Sequence, residues 1–205
     1  YVKEYDANPD TATLIVQDNN KKVIGTITMI FDGVDSIPAE KIYANEIKQL
    51  RSRKEKIVEI SRFVIDNEHR NAKEILVLLF NYLYIFSYYV KKYSSLIIEV
   101  NPRHIEFYRS LLSFDEIGTE KPCPNVLGAP AVLMHGPLKR GKTEVLKYSH
   151  DISEKKNRSL FPLFLKPEAE ELVAEYLEKQ FKPMSEEEKI YFGFTESGIN
   201  KIINV

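Results

Sequence analysis

Three consecutive segments near the middle of the chain leave few folds open. Residues 56–66 (KIVEISRFVID) form a long strand candidate in which Val58, Ile60 and Phe63 are apolar. Residues 75–90 are an apolar run of sixteen, broken only by Asn81, Ser87 and tyrosines, and residues 96–100 are apolar except for Glu99. Sixteen residues fall short of the roughly 20 that cross a bilayer. The run, placed between two strand-like segments, therefore reads as a helix buried in a protein core, and membrane contact is at most peripheral. The second strand, apolar on both faces apart from Glu99, belongs in mid-sheet. Within 56–66 the alternation changes phase between Ile60 and Phe63, as a β-bulge produces.

The flanking segments extend this pattern. Residues 11–18 and 23–32 alternate and are β-branched, and the turn-rich Asp18-Asn19-Asn20-Lys21 joins them, so they read as a hairpin. Residues 41–48 are weakly helical and run into the basic stretch 48–54. Residues 103–113 read as a helix, and 114–119 and 129–135 as strands. From Pro137 the character changes: 142–156 is charged and helical, 167–181 is an amphipathic helix with a Pro start, and 185–205 is helical. The expected layout is a mixed α/β core over residues 1–138 followed by a helical extension over 139–205.

Composition excludes several classes. Twenty-nine basic and thirty acidic side chains leave a net charge of -1, so no global field favours nucleic acid. A single cysteine, Cys123, permits neither an intramolecular disulfide framework nor a Cys-clustered zinc site. His69, His135 and His150 lack metal-ligand spacing, so no metal is expected. No G-x-G occurs among the eight glycines, which removes the dinucleotide fingerprint. With no leader or lipidation motif at Tyr1, a reducing cytoplasm is the expected compartment.

Strand, helix, strand, then Asn101…Phe107-Tyr108…Phe114 is the order of the GNAT acyltransferase core, and the chain resembles that superfamily. Glu59-x-Ser61-Arg62-Phe63 resembles the central strand of LuxI-type autoinducer synthases. Residues 31–138 resemble FeeM-type N-acyl amino acid synthases more closely still. The matching pieces are Ile37-Pro38, the 58–66 strand, Val100-Asn101-Pro102-Arg103-His104…Phe107-Tyr108, Phe114-Asp115-Glu116-Ile117-Gly118, and Cys123-Pro124…Gly128-Ala129-Pro130-Ala131. The resemblance implies a mixed, mostly antiparallel sheet flanked by helices, with no tightly bound cofactor. It also implies transfer of a long-chain acyl group from an acyl carrier protein, or from acyl-CoA, to the α-amine of an amino acid. The first helices of the GNAT fold would precede Tyr1, which leaves part of the acceptor pocket to the extension or to another chain.

Acyl transfer from a thioester to an amine requires a base for the ammonium, a donor for the oxyanion and an acid for the thiolate. Glu59 is the carboxylate for the first task, directly or through one water. Alternation puts Glu59 and Ser61 on the strand face opposite Ile60. A bulge would let a backbone N–H near Arg62–Val64 meet the thioester oxygen. Tyr108 matches the GNAT tyrosine that protonates the leaving sulfur, and Glu59 and Tyr108 are expected to face a common slot. Arg62 or Arg103 would grip a substrate carboxylate. Ser61, Phe63 and His104 complete the substrate set. The plain alternative is an Arg62–Glu59 ion pair within the sheet and a Tyr108 that merely packs.

The usual GNAT phosphate loop, [QR]-x-x-G-x-[GA], is here His69-Arg70-Asn71-Ala72-Lys73-Glu74. Both small positions are gone, and Glu74 adds negative charge at a helix start. A pyrophosphate fits poorly there, whereas the single phosphodiester of phosphopantetheine needs less and is within the reach of Arg70 and Asn71. An acidic carrier protein would land on a basic patch, for which Arg51, Arg53 and Lys54, with Lys48 and Lys56, are the candidates. Phe63, Val77, Phe80, Leu83 and Tyr84 are the candidates for an acyl slot, although helix residues at this spacing are more often plain core.

Rival readings remain open from the sequence. Residues 136–143 (GPLKRGKT) satisfy the P-loop pattern G-x-x-x-x-G-K-[ST] between a strand and a helix. Against a nucleotide site, the helical residues that follow offer no strand ending in Asp for magnesium. An autoinducer synthase using S-adenosylmethionine is disfavoured by the absence of tryptophan. A non-catalytic lipid- or nucleotide-binding module is the third class. Cys123, in an expected loop between prolines, has no adjacent base to make it a nucleophile.

Overall fold

The structure is a computed structural model that describes residues 8–33, 36–69, 73–150 and 159–191. Its centre is a six-stranded sheet in the order β1-β2-β3-β4-β6-β5. The strands are β1 (Thr11–Gln17), β2 (Val23–Phe31), β3 (Ile57–Ile65), β4 (Ser95–Val100), β5 (Asp115–Cys123) and β6 (Ala129–Pro137). Every pairing is antiparallel except that of β3 with β4. Helix α2 (Lys73–Ile85) and the π-helical turn Phe86–Val90 link those two parallel strands, as a crossover must.

Alternation along each strand sorts the core into two layers. Val58, Ile60, Leu96, Ile98, Val132 and Met134 face α2 and α3 (Ile105–Leu112). Ile57, Ile97 and Leu133 face the other way, beneath α1 (Glu40–Ser52), where they meet Tyr43, Ile47 and Leu50. Tyr43 lies flat on the sheet because Gly118 leaves room for it; a Cβ at Gly118 would stand 2.7 Å from two carbons of the Tyr43 ring. The Tyr43 hydroxyl donates to the Ala131 carbonyl at 2.7 Å.

The expected phase change in β3 is a bulge. Thr26 pairs with Val64 and Thr28 with Ser61, so Arg62 and Phe63 together oppose Ile27. Arg62 takes the left-handed backbone conformation, φ 47°. As a result Phe63 turns to the α2 face and contacts the Phe80 ring at 5.2 Å, where unbroken alternation would have sent it under α1.

Later elements pack on the α2 side. These are α4 (Leu138–His150), the short turn Phe161–Leu163 and α5 (Pro167–Gln180), and they are followed by α6 (Glu186–Tyr191). Leu138, Val145, Tyr148, Leu160, Phe161 and Phe164 join the same buried cluster as α2 and α3. Glu170 of α5 is buried against α2 and accepts the Tyr89 hydroxyl at 2.7 Å. No helix among the described residues is long and apolar enough to cross a membrane.

Three local expectations change. Strand β5 continues to Cys123, so Lys121-Pro122-Cys123 is strand rather than loop; Pro122 is tolerated because β5 is an edge strand. Helix α4 begins directly at Leu138, with Gly141 inside it. Strand β6 runs to Pro137, so residues 136–143 form no loop able to wrap a phosphate. The Lys142 ammonium lies 5.7 and 5.5 Å from the ring centres of Tyr88 and Tyr89. The P-loop pattern is therefore a strand end and a first helical turn, and the nucleotide reading falls with it.

Candidate active site

Strands β3 and β4 pair over only four positions, from Ile57 with Ser95 to Ile60 with Ile98. Beyond them β3 continues through the Arg62 bulge to Ile65 while β4 ends at Val100, and the two strands part. Both strand ends point the same way, so the parting lies at the carboxyl end of the parallel pair, where open sheets of this kind take ligands.

Glu59 stands just before the parting, on the α1 face as the alternation predicts. It is 4% exposed. Its Oε2 accepts the backbone N–H of Ala39, at the N-terminus of α1, at 2.8 Å. Burial pushes its carboxyl up to about 8; the Ala39 N–H opposes that shift, and nearby Glu99 adds to it. No Arg62–Glu59 ion pair accounts for the carboxylate, whose hydrogen bond is to Ala39. Ser61, two residues on, pairs opposite Thr28 and is half-buried.

Glu99 was visible in the sequence only as the one charged residue of an apolar strand. The parallel register places it on the same face as Glu59, two positions beyond its partner Ile97. Its Oε2 accepts the Cys123 thiol at 3.4 Å, while Oε1 is buried without a hydrogen bond. Burial raises its carboxyl too, against the effect of the Cys123 contact.

Tyr108 sits on α3, on the opposite face of the sheet, with its ring 6.4 Å from Phe80 and 6.1 Å from Phe114. Burial pushes its phenol up to about 12. Glu59 and Tyr108 thus do not share one side of the sheet, contrary to expectation. The β3–β4 pairing, which separates the two faces, ends at Ile60 and Ile98. Arg103 and His104 are exposed just past the end of β4, with the guanidinium Nε 3.1 Å from His104 Nε2. Arg70 and Asn71 lie outside the described residues.

The expected carrier-docking residues are placed differently. Arg51 holds Asp32 at 2.8 and 2.7 Å and Glu40 at 2.6 and 2.7 Å, a bidentate grip on each carboxylate that consumes its charge within the chain. Arg53 pairs with Glu55 at 3.1 Å, and Lys54 is exposed in the turn before β3. All three lie at the amino end of β3, the end away from the parting.

Two other clusters have plain explanations. Ser95, His135 and Glu55 are in contact, but Ser95 and Glu55 both meet His135 Nε2 (3.1 Å each), so the carboxylate does not orient the imidazole for the serine as a hydrolytic triad requires. Asp66, Glu68 and His69 gather at the end of β3, and the cation between the two carboxylates is the Lys22 ammonium, 3.3 Å from each.

Comparison with known proteins agrees with this geometry. The family model of the N-acyl amino acid synthase FeeM matches residues 1–137. The solved structure of FeeM, an N-acyl amino acid synthase from uncultured soil microbes, is 29% identical over 66% of this chain and 71% of its own, with a TM-score of 0.59. BjaI, a CoA-dependent acyl-homoserine lactone synthase, is 14% identical over 71% of this chain and 66% of its own, with a TM-score of 0.52, and shares the fold. No curated protein sequence matches. A GNAT-type sheet parting at Ile60, with the family model covering the whole of that sheet, leaves one assignment: the chain belongs to the FeeM family of N-acyl amino acid synthases and is an N-acyltransferase.

Proposed function

We propose that the protein transfers a long-chain acyl group from the phosphopantetheine thioester of an acyl carrier protein to the α-amine of an amino acid. The observation that carries this reading is the parting of β3 and β4 beyond Ile60 and Ile98, with a buried carboxylate on one side and an aromatic, apolar face on the other. In this reading the thioester lies in the parting. The acceptor ammonium enters from the α1 side, where Glu59 and Glu99 favour a cation, and Arg103 or Arg62 holds its carboxylate. Glu59 is buried, so the proton reaches it through a water beside Ser61. The free amine attacks the carbonyl carbon, a backbone N–H of the Arg62 bulge meets the oxyanion, and the C–S bond breaks. Tyr108 then gives its phenolic proton to the departing thiolate and is restored by the proton that the new amide nitrogen sheds, so that amide, thiol and the proton taken up through Glu59 account for all atoms.

Glu74 in the first turn of α2 supports a donor with a single phosphate over a pyrophosphate, because its charge opposes anions at that helix start. Arg70 and Asn71 are the residues assigned to that phosphate. Arg53 and Lys54 remain the basic candidates for carrier docking, in a cytoplasmic setting. In this reading residues 1–138 serve as the acyltransferase core and 139–205 as an extension, of which the described part carries α4, α5 and α6. The test is incubation with acyl carrier protein carrying acyl groups of several lengths and a pool of amino acids, read by mass spectrometry. N-acyl amino acids are the expected products. Absence of any, from a protein with a cooperative melt, would overturn the reading; product from acyl-CoA alone would overturn the carrier-protein donor.

A further inference from the structure

Glu59 and Glu99 lie on one face of the sheet, and among the described residues neither carboxylate forms an ion pair. Glu59 stands opposite Ile97 in the parallel ladder, so Glu99, two residues on, is its diagonal neighbour. Strand spacing and rise put the two backbone positions roughly 8 Å apart, within reach of two glutamate side chains. Glu59 accepts the Ala39 amide and Glu99 accepts the Cys123 thiol, while Glu99 Oε1 is buried with no hydrogen bond.

The elements packed around this face bring no counter-charge to it. On α1, Tyr43 is neutral because burial pushes its phenol up to about 12, and Glu46 adds negative charge beside it. On β5, Glu116 adds more, and the Lys121 ammonium is held by Glu46 and the Ile42 carbonyl at 3.2 Å each. Strand β2 presents the apolar Ile30 opposite Glu59. Arg62 stands in the bulge three residues past Glu59 and makes no bond to it, and Arg103 and His104 are exposed beyond the end of β4. Lys41 and Lys48 of α1 are exposed as well.

Two neighbouring buried carboxyls without a cation do not both ionise at neutral pH, because the second charge would face the first through a dry interior. One proton therefore stays with the pair, and local contacts decide where. Glu59 is the more deeply buried, and burial outweighs its Ala39 bond; the Cys123 thiol favours the charged form of Glu99. The proton rests on Glu59 and the charge on Glu99. That charge makes Glu59 a stronger base once it ionises, since the proton it takes up removes one of two facing charges.

We propose that Glu99 is a positioning residue for acyl transfer: its carboxylate, held ionised by the Cys123 thiol, fixes on Glu59 the proton that leaves the acceptor ammonium. The inference rests on the reading of Glu59 as the base and gives a role to two residues outside the Glu59-x-Ser61-Arg62-Phe63 motif. The proton passes from ammonium to Glu59, and Glu99 and Cys123 keep their own protonation states throughout.

Carbon-13 NMR of the side-chain carboxyls of the whole chain locates the proton directly; the Glu59 resonance is the one missing from Glu59→Gln. Its midpoint is expected near pH 8 in the wild type. In Glu99→Gln it is expected at least about one pH unit lower. Cys123→Ala is expected to move it the same way by less, and Cys123→Ser, which keeps a donor, to leave it within about 0.3 pH unit. A midpoint unmoved by Glu99→Gln, in a protein with a cooperative melt, overturns the proposal. Should Glu99→Gln fail to fold, Cys123→Ala decides, and an unmoved midpoint there overturns it equally. The rising limb of kcat/KM in Glu99→Gln is expected to follow the NMR midpoint to lower pH, with a plateau about 3-fold or more below wild type because the base is weaker. A midpoint that moves while the limb stays in place leaves the carboxyl pair standing and sinks the reading of Glu59 as the base.

Discussion

The Ala39 amide donates to Glu59 Oε2 at 2.8 Å, so the first turn of α1 is fastened to the central strand through the carboxylate proposed as the base. A glutamine at 59 keeps an oxygen acceptor for that bond but cannot take a proton. Glu59→Gln is expected to lower kcat for acyl transfer at least about 100-fold while the protein still folds. Steady-state kinetics with acyl carrier protein checks this; a loss below about 3-fold would mean the carboxylate serves α1 alone.

The same burial has a consequence for stability. The Glu59 carboxyl lies at about 8 in the folded protein against an ordinary value of 4.5, so the folded state binds the extra proton. Stability from this group is therefore full below about pH 4.5 and is lost as pH rises toward 8. Glu59→Gln escapes that loss and is expected to be more stable than wild type at pH 8 by at least about 1 kcal/mol, with the advantage vanishing near pH 5. Urea unfolding at the two pH values measures it.

In the wild type the base becomes available as the carboxyl ionises, so kcat/KM is expected to rise through pH 8 and level off above it. The Tyr108 phenol, raised to about 12, stays protonated across that range and supplies no descending limb below about pH 10. Tyr108→Phe is expected to reduce kcat about 10-fold or more and to leave the rising limb in place. A pH profile of both proteins decides between an acid and a packing ring.

Arg51 is a structural cation. Arg51→Ala leaves Asp32 and Glu40 without their partner and is expected to cost about 1 kcal/mol, since the guanidinium is partly exposed. It is not expected to change KM for acyl carrier protein; Arg53→Glu with Lys54→Glu tests docking at that patch. A KM rise with Arg51→Ala, at unchanged stability, would contradict the assignment.

Gly118→Ala is expected to destabilise by about 1–3 kcal/mol, because its Cβ would meet the Tyr43 ring at 2.7 Å and Leu133 at 2.9 Å, neither of which has space to retreat. A thermal melt reads the effect directly.

Much of this was legible in the sequence because it depends on local periodicity. The phase slip between Ile60 and Phe63 marked the bulge, and alternation gave Glu59 its face. The long apolar run marked the helix under the sheet, although not the π-helical turn at its end. What escaped depends on partners far apart in the chain. The partners of Arg51, Asp32 and Glu40, are 19 and 11 residues away, and neither distance has a periodic signature. Glu99 becomes a neighbour of Glu59 only through the parallel register. Tyr108 was assigned by its place in a motif, which carries no information on which side of the sheet its helix packs. Helix α4 begins at Leu138 rather than at 142, and what fixes that start is the burial of Leu138 and the close approach of Tyr84 at Gly141, neither of which has a local signature.

The left-handed backbone at Arg62 sets a limit on what that position is for. A glycine would make the same kink with less steric opposition, so the bend itself gives no reason for a long cationic side chain there. Exchanging the two residues removes the side chain while keeping the bend: Arg62→Gly should preserve the β3 trace and Phe63's inward turn.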